Sequence, residues 1–109
     1  MDYAVIRRAL AGCRFTEHAR REMEGEPLGI ISAAEVLEAL AGGEIIEEYP
    51  DDRPYASCLI LGRTKAGRPL HVVCAPVLGE GKLVIITIYE PELSRWDSEY
   101  RRRTLSCCA

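Results

Sequence analysis

A chain of 109 residues and 12.1 kDa is long enough for one hydrophobic core and short for two. Its 48% apolar and 28% charged residues exclude a disordered tail, and no apolar run approaches the roughly 18 residues that a membrane helix needs. The formal net charge of −3, with a pI near 5.4, argues against a general nucleic-acid binder.

Residues 2–12 read as a helix, with Val5, Ile6, Ala9 and Leu10 on one side, Arg7 and Arg8 turned outward, and Gly12 as the stop. A second helix starts at Thr16, a good N-cap, with Glu17 favourable in its first turn. Phe15, Ala19 and Met23 fall four apart along it and make one apolar stripe, and the helix stops near residues 25–27. A third helix is announced by a capping box from Ser32 to Glu35, with Ile30 and Ile31 as the hydrophobic staple. Val36, Leu37, Leu40 and Ala41 form its expected buried face, and Gly42 and Gly43 end it.

After Gly43 the period changes from 3.6 toward 2. Strands are predicted over 44–49, 55–63, 68–76 and 82–90, joined by turns at 50–54, 65–67 and 78–81. Residues 92–103 carry Leu93, Trp96 and Tyr100 at spacings of three and four, which fits a short helical tail pinned back on the domain. Helices first and strands afterwards predict an α+β fold: N-terminal helices packed on a C-terminal antiparallel β-meander of about four strands, as a single domain over 1–109.

Charge is unevenly distributed. Residues 1–16 carry +2, residues 17–52 carry −9 and residues 53–109 carry +4, and twelve of the fourteen cations are Arg. Cys13, Cys58, Cys74, Cys107 and Cys108 are an odd number with no metal-ligand spacing, so neither a disulfide framework nor a metal site is expected. Cys58 and Cys74 lie in apolar runs, as small core residues do. No dinucleotide, phosphate-loop or zinc-protease motif is present, and no cofactor is expected.

The chemistry therefore rests on a few polar side chains. His18, Arg21 and Glu22 share one side of the second helix, where an imidazole, a guanidinium and a carboxylate can orient a general base. A surface salt-bridge cluster is the alternative. On the strands, His71 alternates with Leu70 and Val72, while Leu83, Ile85, Thr87 and Tyr89 are expected to share one face. His71, Thr87 and Tyr89 would then project from the sheet face that the helices leave uncovered. Such a set beside Arg side chains suits acid–base work on a phosphodiester. A half-buried His71 bonded to a hydroxyl or backbone partner is the competing reading. Arg20, Arg101, Arg102 and Arg103 are the candidate phosphate contacts, the last three also reading as a solvated basic tail.

Residues 15–23 (Phe-Thr-Glu-His-Ala-Arg-Arg-Glu-Met), 31–36, 69–73 and 86–91, with Trp96 soon after, occur in an order that resembles the bacterial family known as domain of unknown function 4258. The likeness spans about residues 15–100. The helices-then-meander order is similar in turn to RelE/ParE-type toxins, whose fold has two or three helices before a four-stranded antiparallel sheet. That resemblance implies an mRNA-cleaving toxin acting without a metal, with His18, Arg21, His71, Thr87 and Tyr89 as the matching positions. It also implies an antitoxin protein as partner and RNA or the ribosome as target. RelE-type ribonucleases are strongly basic and this chain is acidic, so a non-catalytic relative remains the alternative.

The resulting expectation is a toxin-like ribonuclease, with a protein-binding module as its rival. In the rival reading, the acidic stretch 17–52 faces a basic partner. A homodimer through the open sheet face, centred on Tyr55, Leu59, Leu61, Leu83 and Ile85, is a third possibility. The opening residues lack the basic-then-apolar layout of a secretory signal, so a cytoplasmic protein without membrane association is expected.

Overall fold

Among the described residues, three short helices each begin at a side chain that accepts from one of their free N–H groups. In the computed structural model, which describes residues 1–104, Asp2 caps α1 (Tyr3–Ala9), Thr16 caps α2 (Glu17–Gly25) and Ser32 caps α3 (Ala33–Ala41). The Ser32–Glu35 box is reciprocal: Glu35 N–H donates to the Ser32 hydroxyl and Ser32 N–H donates to the Glu35 carboxylate. The helix expected over 2–12 is shorter than predicted, because residues 10–12 tighten into a 3-10 turn. At that turn Gly12 passes so close to the chain that a Cβ would sit 2.0 Å from the Gly81 carbonyl oxygen.

That turn feeds a strand the local pattern did not announce. β1 (Cys13–Phe15) pairs in parallel with β5 (Lys82–Tyr89), placing Cys13 opposite Leu83 and Phe15 opposite Ile85. The remaining strands, β2 (Glu44–Tyr49), β3 (Ser57–Arg63) and β4 (Pro69–Val77), form the expected antiparallel meander with β5. Among the described residues the sheet thus has five strands in the order β1-β5-β4-β3-β2, and the fold is α+β with a mixed sheet.

The helices cover one face. Ile6, Ala19, Met23, Val36, Ala39 and Leu40 pack on Cys58, Ile60, Leu70, Val72, Cys74, Leu83, Ile85 and Ile88. Within α3 the buried side is Val36, Ala39 and Leu40, whereas Leu37 is 39% exposed and Ala41 is exposed. Ile31 is buried beside the box, and Ile30 stays outside it. The α3 axis lies so close to β3 that a Cβ on Gly62 would stand 2.1 Å from the Ala39 carbonyl oxygen.

The expected single face for Leu83, Ile85, Thr87 and Tyr89 is not what the sheet contains. The ladder shifts register between Val73 and Cys74, because Cys74 pairs with Ile85 while Val73 pairs with Thr87, and the extra residue in β5 is Ile86. A bulge of this kind reverses the alternation beyond it. Leu83 and Ile85 therefore sit fully buried under the helices, while Thr87 and Tyr89 turn to the opposite face with His71 and Val73. Leu83 and Ile85 are accordingly not part of an open sheet surface. Of the remaining residues expected at its centre, Leu59 and Leu61 are buried, and Tyr55 lies before β3 and is exposed.

Residues 91–104 cross this second face. They contain turns rather than the expected helix, and Trp96 and Arg103 form an antiparallel bridge. Trp96 is only 3% exposed, so the expectation of a tail pinned by its aromatic side chain holds without helical geometry. Among the described residues no helix is long and apolar enough to cross a membrane. Cys107 and Cys108 lie outside the described residues.

Candidate functional site

α2 is stitched to the edge of the sheet where β1 ends. Thr16 N–H donates to the Ile85 carbonyl, its hydroxyl to the Ile86 carbonyl, and Glu22 accepts the Ile88 N–H at 3.1 Å. β1 is only three residues long, so the Ile88 amide has no strand partner there and the Glu22 carboxylate replaces it. The same oxygen lies 3.3 Å from His18 Nε2. This attachment brings one side of α2 beside Tyr89. His18, Arg21, Glu22 and Tyr89 line a shallow groove of about 340 Å³, together with Glu26 and Pro27.

Within that groove His18 is open to solvent, its side chain 66% exposed. Arg21 is also exposed and pairs with Glu17 one turn earlier, at 2.9 Å. Tyr89 is half-buried, and burial raises its pKa, so the phenol is protonated at neutral pH.

Behind Tyr89 sits His71, which is completely buried. Its Nε2 faces the Tyr100 carbonyl at 2.8 Å, an acceptor only, so Nε2 carries the proton. Nδ1 is therefore the acceptor, and the Tyr89 hydroxyl donates to it at 3.0 Å. Trp96 closes the ring in from the side, edge to face at 4.3 Å between centroids. Burial depresses the His71 pKa, only partly offset by the hydrogen bond to Tyr100, and the imidazole is neutral at pH 7. Tyr100 holds its carbonyl there from a left-handed backbone conformation, φ 63°, which costs about 1 kcal/mol or more for a non-glycine residue.

The structure thus joins His18, Arg21 and Tyr89 at one groove and hides His71 beneath it. Thr87 faces the same side of the sheet but lines the neighbouring pocket rather than the groove. Arg20 is exposed on α2 away from both.

The basic run is largely spent within the molecule. Arg101 pairs with Glu44 at 2.6 Å and with Glu99, and Arg103 makes a two-pronged contact with Glu47 while lying over the Trp96 ring. The acidic stretch and the basic C-terminal stretch therefore meet each other along β2. Arg102 is exposed. Among the described residues no three His, Cys, Asp or Glu side chains form a group that could hold a metal ion.

One organising residue drew no attention in the sequence. Arg68, the residue before β4, bonds the Gly29 and Ile30 carbonyls, Glu35 at 3.2 Å and Glu90, with its own side chain 17% exposed. It ties the loop between α2 and α3 to the end of β5, and so holds the wall of the groove. Its sequence neighbours Gly67 and Pro69 mark only a turn, which gives no sign of so many partners.

These features belong to a small α+β domain with a sheet-edge groove. The chain belongs to the family described as "Domain of unknown function (DUF4258)", whose profile matches residues 15–90. That match spans α2 through β5 and so includes His18, Arg21, His71, Thr87 and Tyr89. No curated protein and no solved structure matches the chain.

Proposed function

We propose that the protein is a metal-independent ribonuclease of the toxin type, acting in the cytoplasm at the groove between α2 and Tyr89. The observation that carries this reading is the meeting of His18 and Arg21 with Tyr89, a residue 68 or more positions away, in one solvent-open groove. The order of helices before the meander, similar to RelE/ParE-type toxins, supports the class.

In this reading His18 takes the proton from a ribose 2′-OH as that oxygen attacks the adjacent phosphorus. The bond from phosphorus to the 5′-oxygen breaks, and His18 returns the proton to that oxygen. The products are a 2′,3′-cyclic phosphate and a free 5′-OH, and no other reactant is consumed. Arg21 faces the charge that builds on the non-bridging oxygens. Tyr89 commits its proton to His71 and so does not compete for the proton of the attacking hydroxyl, which goes to His18; its ring is the wall of the groove that positions the ribose. His71 is a positioning residue: it is buried, neutral and bonded at both nitrogens.

Incubating the purified chain with a single-stranded RNA, alone and with ribosomes, tests this. Cleavage that leaves cyclic phosphate ends, is lost in His18→Ala and is unaffected by chelators is the expected result. Intact RNA under both conditions, with no growth defect on expression, would overturn it. An antitoxin partner belongs to the same proposal and is sought by co-purification from the native host.

A further inference from the structure

A second pocket lies on the sheet face opposite the helices, against the segment that carries Trp96. It encloses about 570 Å³, within the range of small-molecule sites. Glu26, Pro27 and Tyr89 line both this pocket and the groove, so the two spaces adjoin across those three residues. A chain with its phosphate in the groove would reach the pocket with a neighbouring nucleotide.

The pocket's surfaces are of two kinds. Its lining includes the apolar Val73 and Leu59 and the half-buried rings of Tyr49 and Tyr89, with Trp96, 3% exposed, beneath the Arg103 guanidinium. Aromatic and apolar walls of this kind suit a flat heteroaromatic ring, which they hold by stacking and edge contacts. The second kind is polar and uncommitted. Most charged groups at the rim are already paired, Arg103 with Glu47 and Glu90 with Arg68. Two are not: among the described residues, the Arg95 guanidinium and the Glu26 carboxylate make no side-chain hydrogen bond or ion pair, and neither does the neutral Thr87 hydroxyl. An unpaired guanidinium takes a phosphate, and an unpaired carboxylate takes two adjacent N–H donors.

We infer that this pocket is a guanine-nucleotide subsite, taking a guanine base of single-stranded RNA against the aromatic wall, with Glu26 accepting from its paired N–H groups and Arg95 holding a phosphate of the same strand. The inference rests on the ribonuclease reading of the adjoining groove. It adds a base preference that the groove itself does not carry. Guanine is the one RNA base with adjacent ring and exocyclic N–H donors on its pairing edge, the pattern a single carboxylate satisfies with both oxygens.

Trp96 is the only tryptophan of the chain and lines the pocket beneath Arg103, so its fluorescence reports occupancy through the groups packed on it. The full chain is titrated with guanosine, adenosine, cytidine and uridine 5′-monophosphates. Expected is a saturable change with the guanine nucleotide, at an affinity roughly tenfold above the others. Arg95→Ala weakens that binding about tenfold, and Glu26→Gln removes the preference while adenosine monophosphate binding is retained. Both side chains lie at the rim outside the core, so the variants fold. No saturable change, equal affinity for all four nucleotides, or unaltered binding in both variants overturns the inference. His18→Ala separates the two readings. Guanine-selective binding that survives in this variant, with no RNA cut by the wild type, keeps the pocket and removes the ribonuclease. RNA cleavage with no preference for sites beside guanine, unchanged by Arg95→Ala, keeps the ribonuclease and removes the pocket.

Discussion

His71 and Tyr89 stand directly opposite each other on β4 and β5, and the Tyr89 hydroxyl donates to His71 Nδ1 across 3.0 Å. The contact exists because the bulge at Ile86 turns Tyr89 to the face that His71 already occupies. With the Tyr100 carbonyl on Nε2, both ring nitrogens are satisfied without water. Tyr89→Phe leaves Nδ1 buried with no donor and is expected to cost about 1–3 kcal/mol of stability, read as a lower urea midpoint. Loss of RNA cleavage beyond what the residual folded fraction explains would mark the positioning role.

The same burial makes stability depend on pH. The folded-state pKa of His71 lies below 6.5, the value of an unhindered imidazole. Above 6.5 the ring is neutral in both the folded and unfolded chain and the residue adds no pH dependence. As pH falls through 6.5, the unfolded chain binds a proton that the folded chain refuses, so stability drops until the folded pKa is reached and levels off below it. Denaturation of the wild type and of His71→Gln across this window checks the sign. The substitution should flatten the slope.

His18→Ala and Arg21→Ala are expected to leave stability within about 0.5 kcal/mol of the wild type. Both side chains are mostly exposed, and the Arg21–Glu17 pair is 77% exposed on each side. RNA cleavage should fall about 100-fold or more for His18→Ala. A thermal melt of each variant run beside the cleavage assay distinguishes lost chemistry from lost fold.

Arg68→Met should be among the most damaging single changes outside the apolar core. It strips the cationic partner from Glu35 and Glu90, whose side chains are only 28% and 20% exposed, and frees two backbone carbonyls. A loss of about 2–4 kcal/mol is expected, with Arg68→Lys recovering only part because one ammonium cannot span four acceptors in different directions. Denaturant unfolding of the three proteins gives the comparison.

Gly62→Ala tests the packing of α3 on the sheet. The added methyl would overlap the Ala39 backbone at 2.1 Å, and a helix backbone cannot yield as a side-chain end can. A loss of at least 1–3 kcal/mol is expected. Native-state thiol labelling gives a second readout: Cys58 and Cys74, opposed on β3 and β4 beneath the helices, should resist alkylation in the wild type and become labelled faster in the variant.

Local chemistry in the sequence determined much of this protein. A capping side chain and the Glu three residues on are enough to place the start of α3, and Thr16 does the same for α2, because capping bonds span only a few residues. The change of hydrophobic period after Gly43 places the meander for the same reason. The candidate residues of the groove were also legible as types, since a helix brings positions three and four apart to one side.

Only the tertiary structure decided which of them meet. β1 exists because β5, some 70 residues later, offers it an edge, and three residues carry too little pattern to reveal that. The Ile86 bulge reverses a face without any glycine to announce it, so strict alternation misplaces Thr87 and Tyr89. Residues 91–104 have helical spacing yet follow the sheet, because burying Trp96 against His71 and pairing Arg103 with Glu47 outweigh a weak helical preference. Contacts between distant segments are set by the summed packing of the whole chain, and a reading that proceeds by neighbours has no access to that sum.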